Sequence, residues 1–434
     1  MIMDFLTKLA RSYLIDGGSD FVFRSAGEIQ FPKMDKIDLY IHIPFCRNMC
    51  PYCPYNKIRY NKKYVAPYLD AMLSEIEQCH SRLGNIEISS IYIGGGTPTS
   101  LIDELGIILE RITDRLKVAG DTCIETNPAD INSEIVSKLE QFGIDMVSLG
   151  VQSFDDNYLK LIGRNYHSGI VNSAISQLRS KFKSTNLDLM FALPGQTTNE
   201  VLTDLQKAFD AGAHQVTLYP LFTFPYSSTG KYLKLKRVKF PNLFRRREMY
   251  RAIHDFCQDK GYQRVSVWGF KRGDVPSFSS VTRDLYIGLG AGAGSHIPGA
   301  FYFNTFSVKE YIETSLNKKL PIALRMGLTD SISRYYWLYW RFYDTYIPKK
   351  QFLDLFKDDR KIHRLLWIAN KSGLCEETED QILLTESGPF WIHLIQNYFI
   401  LNYKQSMDCC HGATLAKGDK NIGDVFESNR ASQI

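Results

Sequence analysis

Three cysteines that lie close together, Cys46, Cys50 and Cys53, are the residues best suited to carry chemistry. They form the pattern C-x3-C-x2-C within the segment YIHIPFCRNMCPYCPYNK. Three thiolates at this spacing suit three corners of a 4Fe–4S cluster, and because such a cluster normally takes four cysteines, one iron would stay open. An open metal position binds an exchangeable ligand, which is typical of catalytic sites. The spacing therefore predicts a catalytic iron–sulfur centre.

Two plainer interpretations of these cysteines compete with a cluster. The first is a zinc site completed by His42 or by a distant cysteine, although structural zinc usually takes paired C-x2-C units and the chain has no second pair at that spacing. The second is three unrelated buried thiols. The other cysteines are expected to be ordinary core or surface residues or, in the polar tail, poor candidates for a fourth ligand: Cys79, Cys123, Cys257, Cys375, Cys409 and Cys410.

A run of three glycines, residues 94–96, follows a short apolar segment and lets the backbone approach a ligand closely. The segment GGGTPT lacks the lysine and the spacing of a phosphate-binding P-loop, so that alternative is weak. A glycine triplet by itself is more often a tight turn. The glycine run is therefore a candidate ligand-binding loop only together with the residues around it.

Three polar residues lie in or beside apolar segments: Glu125, Gln152 and Asp188. An unpaired polar group is costly in such surroundings, so each of them needs a partner. One interpretation is that the backbone or the other members of the set satisfy them. The other is that they contact a bound ligand as a set along one edge of a sheet.

Hydrophobic periodicity indicates the elements that position these residues. β-Branched apolar runs alternate with amphipathic stretches, such as the helix that carries Val65, Leu69, Met72 and Ile76 on one face. Six strand–helix units predict an α/β fold with a parallel sheet and outer helices, and both a TIM-like barrel and a doubly wound sheet satisfy that pattern. The predicted strands are 37–43, 86–93, 123–126, 146–151, 187–193 and 216–221.

The cysteine loop is expected to follow the first strand directly, because Pro44, Pro51 and Pro54 prevent a continuous helix there. It would then lie at the carboxyl end of that strand, where the active sites of barrels and parallel sheets form. Two further helices are predicted, one capped by Asp130 or Asn132 and one that follows Thr198.

Composition narrows the function classes. The chain has 434 residues, and 52 Lys and Arg against 47 Asp and Glu give a net charge of +5, too mild to suggest a nucleic-acid partner. Its beginning does not resemble a secretory signal, and no apolar run approaches the ~18 residues of a membrane span. We expect a cytoplasmic protein, because clustered cysteines in a reducing compartment more often bind metal than form disulfides. We interpret the basic stretch 231–247 as a solvated face; the alternative is a binding surface for an anionic substrate or partner.

The cysteine loop resembles that of radical S-adenosylmethionine (SAM) enzymes. The segment YIHIPFC is similar to the branch that contains oxygen-independent coproporphyrinogen III oxidases, heme chaperones and radical SAM C-methyltransferases. The likeness extends over about residues 36–390. Further blocks support it by their order and spacing: IYIGGGTPTSL, IETNP, SLGVQSFDDNYLKLIGR, LDLMFALPGQT, YIGLGAGAGS and GLCEETEDQILLTESG.

The resemblance implies a partial TIM-like barrel around the cluster and a role for each matching residue. Cys46, Cys50 and Cys53 would hold the 4Fe–4S cluster. Tyr40 would lie beside the sulfonium of SAM and is the catalytic candidate, and Tyr52 would pack against the cofactor. The other matching positions would bind the amino group, ribose or carboxylate of SAM: Gly95, Gly96, Thr97, Glu125, Gln152, Arg164 and Asp188.

The function that the resemblance implies is reductive cleavage of SAM to a 5′-deoxyadenosyl radical, which takes hydrogen from a tetrapyrrole or another unsaturated small molecule. An electron donor such as flavodoxin or ferredoxin would be the partner. One alternative is a methyltransferase that uses two SAM molecules, and another is a non-catalytic heme chaperone. The decarboxylating oxidases carry a fourth cysteine where this chain has Tyr55, whereas chaperones and methyltransferases have an aromatic residue there.

The predicted organisation has five parts. Residues 1–36 form an N-terminal extension and residues 37–222 form the radical SAM partial barrel. Residues 223–330 cover the barrel and link it to a mostly helical C-terminal domain, residues 331–403, whose segment KSGLCEETEDQILLTESG is typical of a winged-helix hairpin. Residues 404–434 are expected to be a disordered polar tail.

Overall fold

The computed structural model describes residues 23–25, 29–221, 240–279 and 284–396. The chain separates into two compact units. The larger unit consists of Ala26–Gln263 and Gly269–Leu324, and the smaller one includes Arg264–Trp268 and the chain from Arg325 onward. The domain limits predicted from the sequence stay predictions.

Six parallel strands form the centre of the larger unit, as predicted. Their order in the sheet follows their order in the chain, whereas a doubly wound sheet would reverse its order partway. The winding is therefore that of a barrel, although the sheet is not closed in the described residues. The strands are β1 (Lys36–Ile43), β2 (Glu87–Gly95), β3 (Thr122–Thr126), β4 (Met146–Gln152), β5 (Ser184–Phe191) and β6 (Gln215–Pro220).

The helices between these strands start where the sequence supplies caps. Asn132, and not Asp130, caps its helix by accepting a hydrogen bond from the Ile135 amide. Thr197 and Glu200 form a capping box at the start of the helix predicted after Thr198. The helices are α1 (Val65–Leu83), α2 (Ile102–Arg115), α3 (Ser133–Gln141), α4 (Asp156–Leu161), α5 (Ser168–Leu178) and α6 (Thr198–Asp210).

Additional strands extend the sheet at both of its ends. After α7 (Leu243–Asp259), β7 (Gly269–Lys271) pairs antiparallel with β6. At the other end, β8 (Tyr286–Leu289) pairs in parallel with β1, so its carboxyl end lies at the same edge as the cysteine loop. The larger unit ends with β9 (Gly294–Ile297), β10 (Ala300–Asn304) and α8 (Val308–Leu316).

The smaller unit contains a three-stranded antiparallel sheet beside helices. The helix before Gly373 ends there with a φ of 67°, and the acidic segment after it forms the predicted hairpin. After β11 (Ile322–Gly327), where the two units meet in the chain, the elements are α9 (Asp330–Tyr343), β12 (Tyr346–Pro348), α10 (Lys349–Phe356), α11 (Arg360–Lys371), β13 (Cys375–Glu377) and β14 (Gln381–Leu384).

Several sequence predictions fall on residues that the structure does not describe. The tail 404–434, most of the extension 1–36 and the basic residues 231–239 lie outside the described part, whereas Arg245–Arg247 belong to α7. In the described part, no helix is both long and apolar enough to cross a membrane. The four isolated cysteines there are buried core residues, as predicted: Cys79, Cys123, Cys257 and Cys375.

Candidate functional site

The cysteine loop is closed at its base by a short strand pair. Phe45–Cys46 pairs in parallel with Ile58–Arg59, so Cys46 lies at the start of the loop. The Tyr60 amide donates a hydrogen bond to the Cys46 carbonyl at 2.8 Å, and the Cys53 amide donates to the Cys50 carbonyl at 3.4 Å. The loop therefore leaves the carboxyl end of β1, as predicted from its prolines.

The three thiols have different surroundings. Cys46 is buried, and the hydroxyl of Thr97 donates to its sulfur at 3.6 Å. Burial raises the pKa of the Cys46 thiol to about 12; the hydrogen bond from Thr97 opposes this rise, and the nearby Cys53 and Cys50 thiols contribute to it. The Lys57 ammonium, which donates to the Cys53 carbonyl at 2.7 Å, acts in the opposite direction on that pKa. A bound metal would replace the thiol proton, because thiolates are the metal ligands.

The donor set fits a cluster with one open iron. In the residues that the structure describes, no three His, Cys, Asp or Glu side chains are arranged around a single metal ion. A cubane does not require such an arrangement, because each thiolate binds a different iron of the cluster. Tyr55, at the position of a possible fourth cysteine, is 52% exposed and offers no thiolate.

The glycine run after β2 is needed for packing against the protein itself. A Cβ on Gly94 would lie 2.9 Å from the Glu125 carboxylate, and one on Gly95 would lie 2.7 Å from the His42 ring. A Cβ on Gly96 would lie 2.7 Å from the Phe45 carbonyl. The run therefore lets β2 approach both β1 and β3 closely, in addition to the room that it leaves for a ligand.

Two carboxylates, Glu125 on β3 and Asp188 on β5, flank the middle of the sheet. Glu125 accepts a hydrogen bond from the Tyr92 hydroxyl at 2.5 Å, and Asp188 accepts one from Ser148 and one from Asn186, each at 2.9 Å. Burial raises the pKa of Glu125 to about 7, and the charge of Asp188 adds to that rise. Burial also raises the pKa of Asp188 to about 6. Hydroxyl donors or a cation placed between them would favour their ionised forms.

Arg164 lies between two aromatic rings. Its guanidinium carbon is 5.7 Å from the centroid of Tyr52 and 5.5 Å from that of Tyr166. The Arg164 Nε and the Tyr52 hydroxyl are buried, and neither has a hydrogen-bond partner among the described residues. Buried polar atoms without a partner are uncommon, so this pair indicates room for a ligand beside the cysteine loop.

Gln152 ends β4 in the left-handed region, with a φ of 69°. Its side-chain oxygen accepts a hydrogen bond from the Tyr219 hydroxyl at 2.7 Å. A Cβ on Gly150 would lie 3.1 Å from the Gln152 amide and 3.3 Å from the Arg164 guanidinium. Glycine at position 150 therefore lets both predicted site residues turn toward the same space.

His42 is a structural residue and does not complete a zinc site. Its Nδ1 is 2.7 Å from the Tyr40 hydroxyl, and its Nε2 is 2.8 Å from the Asn56 carbonyl. Both ring nitrogens are thus used, with the Tyr40 hydroxyl donating to Nδ1 and the Nε2 proton donated to Asn56. Burial lowers the pKa of His42 to about 4, so the ring is neutral near pH 7. The position of the catalytic candidate Tyr40 is fixed by this hydrogen bond.

Asn56 was not among the predicted site residues, but it anchors the cysteine loop. Its side-chain amide donates to the carbonyls of Ala291 and Phe306, each at 3.0 Å. These partners are 235 and 250 residues away in the sequence, so spacing gives no signal of the contact. The asparagine itself lies only three residues after Cys53.

The loop that receives Asn56 is the glycine-rich segment after β8, residues 290–293. Its amides are bound within the protein: Gly290 donates to Glu75 at 2.9 Å, Ala291 to the Tyr68 hydroxyl at 3.1 Å, and Gly292 to the Thr305 carbonyl at 2.8 Å. A glycine-rich loop that binds phosphate needs free amides. This segment therefore supports the cysteine loop and is not arranged to bind an anion.

The predicted site residues lie in the larger unit, in or after successive strands. Cys46 follows β1, the glycine run ends β2, and Glu125, Gln152 and Asp188 belong to β3, β4 and β5. Because these strands are parallel, their carboxyl ends meet at one edge of the sheet. The prediction missed Asn56, Tyr68 and Glu75, which hold that edge together without belonging to any motif.

Comparisons with known proteins agree with this geometry. Residues 40–208 match the profile of the Radical SAM superfamily. The chain is 32% identical over 290 residues to the heme chaperone HemW of Bacillus subtilis, an alignment that covers 65% of this chain and 76% of that protein. It is 26% identical over 389 residues to the oxygen-independent coproporphyrinogen III oxidase of Escherichia coli, with 83% of this chain and 84% of that protein covered.

A solved structure gives the same result for the fold. The structure of coproporphyrinogen III oxidase (HemN) from Escherichia coli, described as a radical SAM enzyme, aligns with a TM-score of 0.72 at 22% identity. The alignment covers 85% of this chain and 90% of that chain. The fold predicted from the strand–helix units is therefore confirmed.

Proposed function

Because the chain belongs to the radical SAM superfamily, we propose that it is an enzyme that reductively cleaves SAM and acts on a tetrapyrrole or another unsaturated small molecule. Membership of the superfamily implies a 4Fe–4S cluster and SAM as cofactors. The observation that carries the proposal is the meeting of a three-cysteine loop, a glycine run and two carboxylates at one edge of the sheet.

The thiols and carboxylates have separate roles in this proposal. Bound cluster and SAM supply an electron and an organic radical, which is chemistry that no side chain offers. Cys46, Cys50 and Cys53 hold the cluster and leave one iron for SAM. Glu125 and Asp188, once ionised, accept hydrogen bonds from the ribose hydroxyls. Their raised pKa values mean that the site becomes a better acceptor as the pH rises through about 6 to 7.

Arg164 and the residues around it bind the other end of SAM. The guanidinium is positioned by two tyrosine rings, and its partnerless Nε is available to a carboxylate. Gln152 is oriented by Tyr219 and offers its amide to the same ligand. Tyr52 packs against Leu193 and Met190 beside Cys50 and Cys53, which excludes water from that side of the cluster.

The glycine run and Tyr40 complete the proposed SAM site. The amides of Gly96 and Thr97 donate to the carbonyls of Ile43 and Phe45, each at 2.8 Å, so they are not free to bind the cofactor. We propose that the run accepts hydrogen bonds from the amino group of SAM through carbonyl oxygens. Tyr40 presents an electron-rich ring to the sulfonium cation, an attraction that a buried site strengthens.

The second candidate function is a heme chaperone. The 32% identity to HemW of Bacillus subtilis favours it, and so does Tyr55 in place of a fourth cysteine. Heme, rather than a tetrapyrrole to be converted, would then be the partner. The names of these relatives give no support to the methyl-transfer alternative.

One experiment separates the two functions. Cluster-loaded protein is reduced under anaerobic conditions with SAM, and 5′-deoxyadenosine is measured by mass spectrometry. We expect release of 5′-deoxyadenosine from the unaltered protein and none from Cys50→Ala. Stoichiometric heme uptake without any 5′-deoxyadenosine would overturn the enzyme proposal and support the chaperone. Mass analysis of products from candidate tetrapyrroles then identifies the substrate.

A further inference from the structure

The segment around the cysteine loop contains basic residues and no acidic ones. Residues 39–69 hold five Lys and Arg and not one Asp or Glu, a local charge of +5. The whole chain also has a net charge of +5, so the remaining residues balance to zero. The five are Arg47, Lys57, Arg59, Lys62 and Lys63.

Four of these side chains, Arg47, Arg59, Lys62 and Lys63, are exposed, and we call them the basic face. The Arg47 guanidinium lies 4.8 Å from the centroid of the Tyr60 ring, which brings it beside the segment that carries the other three. None of the four forms an ion pair with a carboxylate in the described part of the chain. Burial raises the pKa of the Asp130 carboxyl and Arg47 lies close enough to oppose that rise, whereas Arg59, Lys62 and Lys63 direct their charges to solvent and to any partner that approaches.

The basic face lies beside the first cysteine. Arg59 is the register partner of Cys46 in the short parallel pair, and the next residue, Tyr60, donates its amide proton to the Cys46 carbonyl at 2.8 Å. Arg59 of the basic face thus lies on the strand next to Cys46. Because the rate of electron transfer falls steeply with distance, a protein that reduces the cluster has to dock close to the cysteine loop.

We propose that the basic face is the docking surface for a small acidic one-electron donor protein of the flavodoxin type. The inference rests on the proposed function, because SAM cleavage consumes an electron that has to come from outside the chain. One electron leaves the reduced flavin of the donor, and the charge of the cluster falls from 2+ to 1+. A positive surface attracts an acidic partner, which accelerates encounter and orients the donor toward the cluster.

The test compares two charge-reversal variants. Lys62→Glu with Lys63→Glu reverses an adjacent pair in the basic face. Lys318→Glu with Lys319→Glu is the matched control, since it reverses an equally exposed adjacent pair and changes the net charge by the same amount. Gln78 contacts the Lys319 backbone and lies about 20 Å along α1 from Val65, so the control pair is far from the cysteine loop.

The readout is bleaching of the cluster absorbance after rapid mixing with a purified, fully reduced bacterial flavodoxin. We expect the Lys62/Lys63 variant to react about tenfold more slowly than the unaltered protein at low ionic strength, and the difference to shrink in about 0.5 M salt. The Lys318/Lys319 variant should react at the unaltered rate. Arg59→Glu provides a second test if the double variant fails to fold.

A neutral photochemical reductant distinguishes the possible failures. If it reduces the cluster and the unaltered protein then cleaves SAM, the proposed function stands, whatever the result with flavodoxin. Equal flavodoxin rates in the two double variants would overturn the docking surface alone. If the Lys62/Lys63 variant reacts with flavodoxin at the unaltered rate but binds a polycarboxylate tetrapyrrole more weakly, the basic face is assigned to the substrate. That result would also overturn the docking surface.

Discussion

The three cysteines occupy one loop but are not equivalent. The Cys46 thiol is buried with a pKa of about 12, whereas Cys50 and Cys53 keep partial exposure. A thiol binds iron only after it loses its proton, so the cluster has to displace a firmly held proton at Cys46. We therefore expect cluster assembly to be sensitive to the environment of Cys46.

Removal of one thiol tests the ligand assignment. We expect Cys50→Ala to lose the brown absorbance and most of the iron and sulfide of the reconstituted protein, because two thiolates do not hold a cubane stably. Cys257→Ala is the control, since Cys257 is a fully buried cysteine of α7 outside the loop. Iron and sulfide analysis measures the outcome. Unchanged iron in Cys50→Ala would refute the assignment.

Glu125 should make SAM binding depend on pH. Burial raises its pKa to about 7, so the carboxylate is largely protonated at pH 6 and ionised at pH 8. Only the ionised form accepts hydrogen bonds with both oxygens, so we expect the affinity for SAM to increase across this range. Isothermal titration of cluster-loaded protein measures it. Glu125→Gln should bind more weakly and with a flatter profile; an equally steep profile in that variant would assign the pH dependence to another group.

The residues that form the candidate site could be predicted from the sequence much better than the partners that hold them in place. The thiols, Glu125, Gln152 and Asp188 are visible as chemistry placed at strand ends. The role of Asn56 is not visible in the sequence, because it depends on contacts with residues 235 and 250 positions away. The basic face is visible in the sequence as a segment without acidic residues, and only the structure shows that it lies beside Cys46.

At the scale of elements, the glycine loop 290–293 works as a support. Gly292 has a φ of 80°, and a Cβ there would lie 2.6 Å from the Asn56 amide. The buried carboxylate of Glu75 binds the Gly290 amide, the Asn304 amide and the Tyr311 hydroxyl. A chain of hydrogen bonds thus connects α1, the glycine loop and the cysteine loop, so a change in one of them should alter cluster retention.

A pair of glycine substitutions tests this support. Gly292→Ala forces Asn56 to move, whereas Gly299→Ala, at a φ of 79°, has nothing within 4 Å of the new Cβ. Both substitutions carry a backbone strain of roughly 1–2 kcal/mol. This strain should therefore lower the free energy of unfolding by a similar amount in the two variants. We expect only Gly292→Ala to lose iron markedly faster to a chelator. Equal rates of iron loss would mean that the loop does not support the cluster site.

The six central strands could be predicted because each contains a short apolar run that is mostly buried in a parallel sheet. The strands that extend this sheet after residue 260 could not. β8 (YIGL) and β9 (GSHI) are short and partly glycine, and β8 pairs with β1 across about 250 residues of sequence. Local pattern carries no information about such a pairing, which depends on the packing of the whole unit.

For the whole molecule, buried carboxylates set the dependence of stability on pH. The folded pKa of Glu75, like that of Glu125, is raised by burial to about 7, above the unfolded value of 4.5. The folded state therefore binds more protons, and stability is lost as the pH rises through 7. His42 and His393 act in the opposite direction: burial lowers their folded pKa values to about 4, below the unfolded value of 6.5, so their contribution to stability rises with pH up to about 6.5 and offsets part of that loss.

We therefore expect the urea midpoint of the cluster-free protein to fall between pH 6 and pH 8. Each glutamate should contribute about 1 kcal/mol to this loss in the free energy of unfolding. Glu75→Gln combined with Glu125→Gln should abolish this fall in the midpoint or reverse its direction, because the buried histidines then dominate, even if the variant is less stable overall. Circular dichroism of urea unfolding at several pH values measures it, and an unaltered slope in the double variant would contradict the assignment.

The contacts of Asn56 also bear on when the protein matures in the cell. The chain is made from its N-terminus, so the three cysteines leave the ribosome long before Ala291 and Phe306, the residues that hold their loop in place. The metallation site is consequently completed late in synthesis, after most of the larger unit has been made. We expect a ribosome-bound chain in which Ala291 and Phe306 are still inside the exit tunnel to retain less iron than a longer one in which both residues have emerged. Insertion of the cluster would then be a post-translational step.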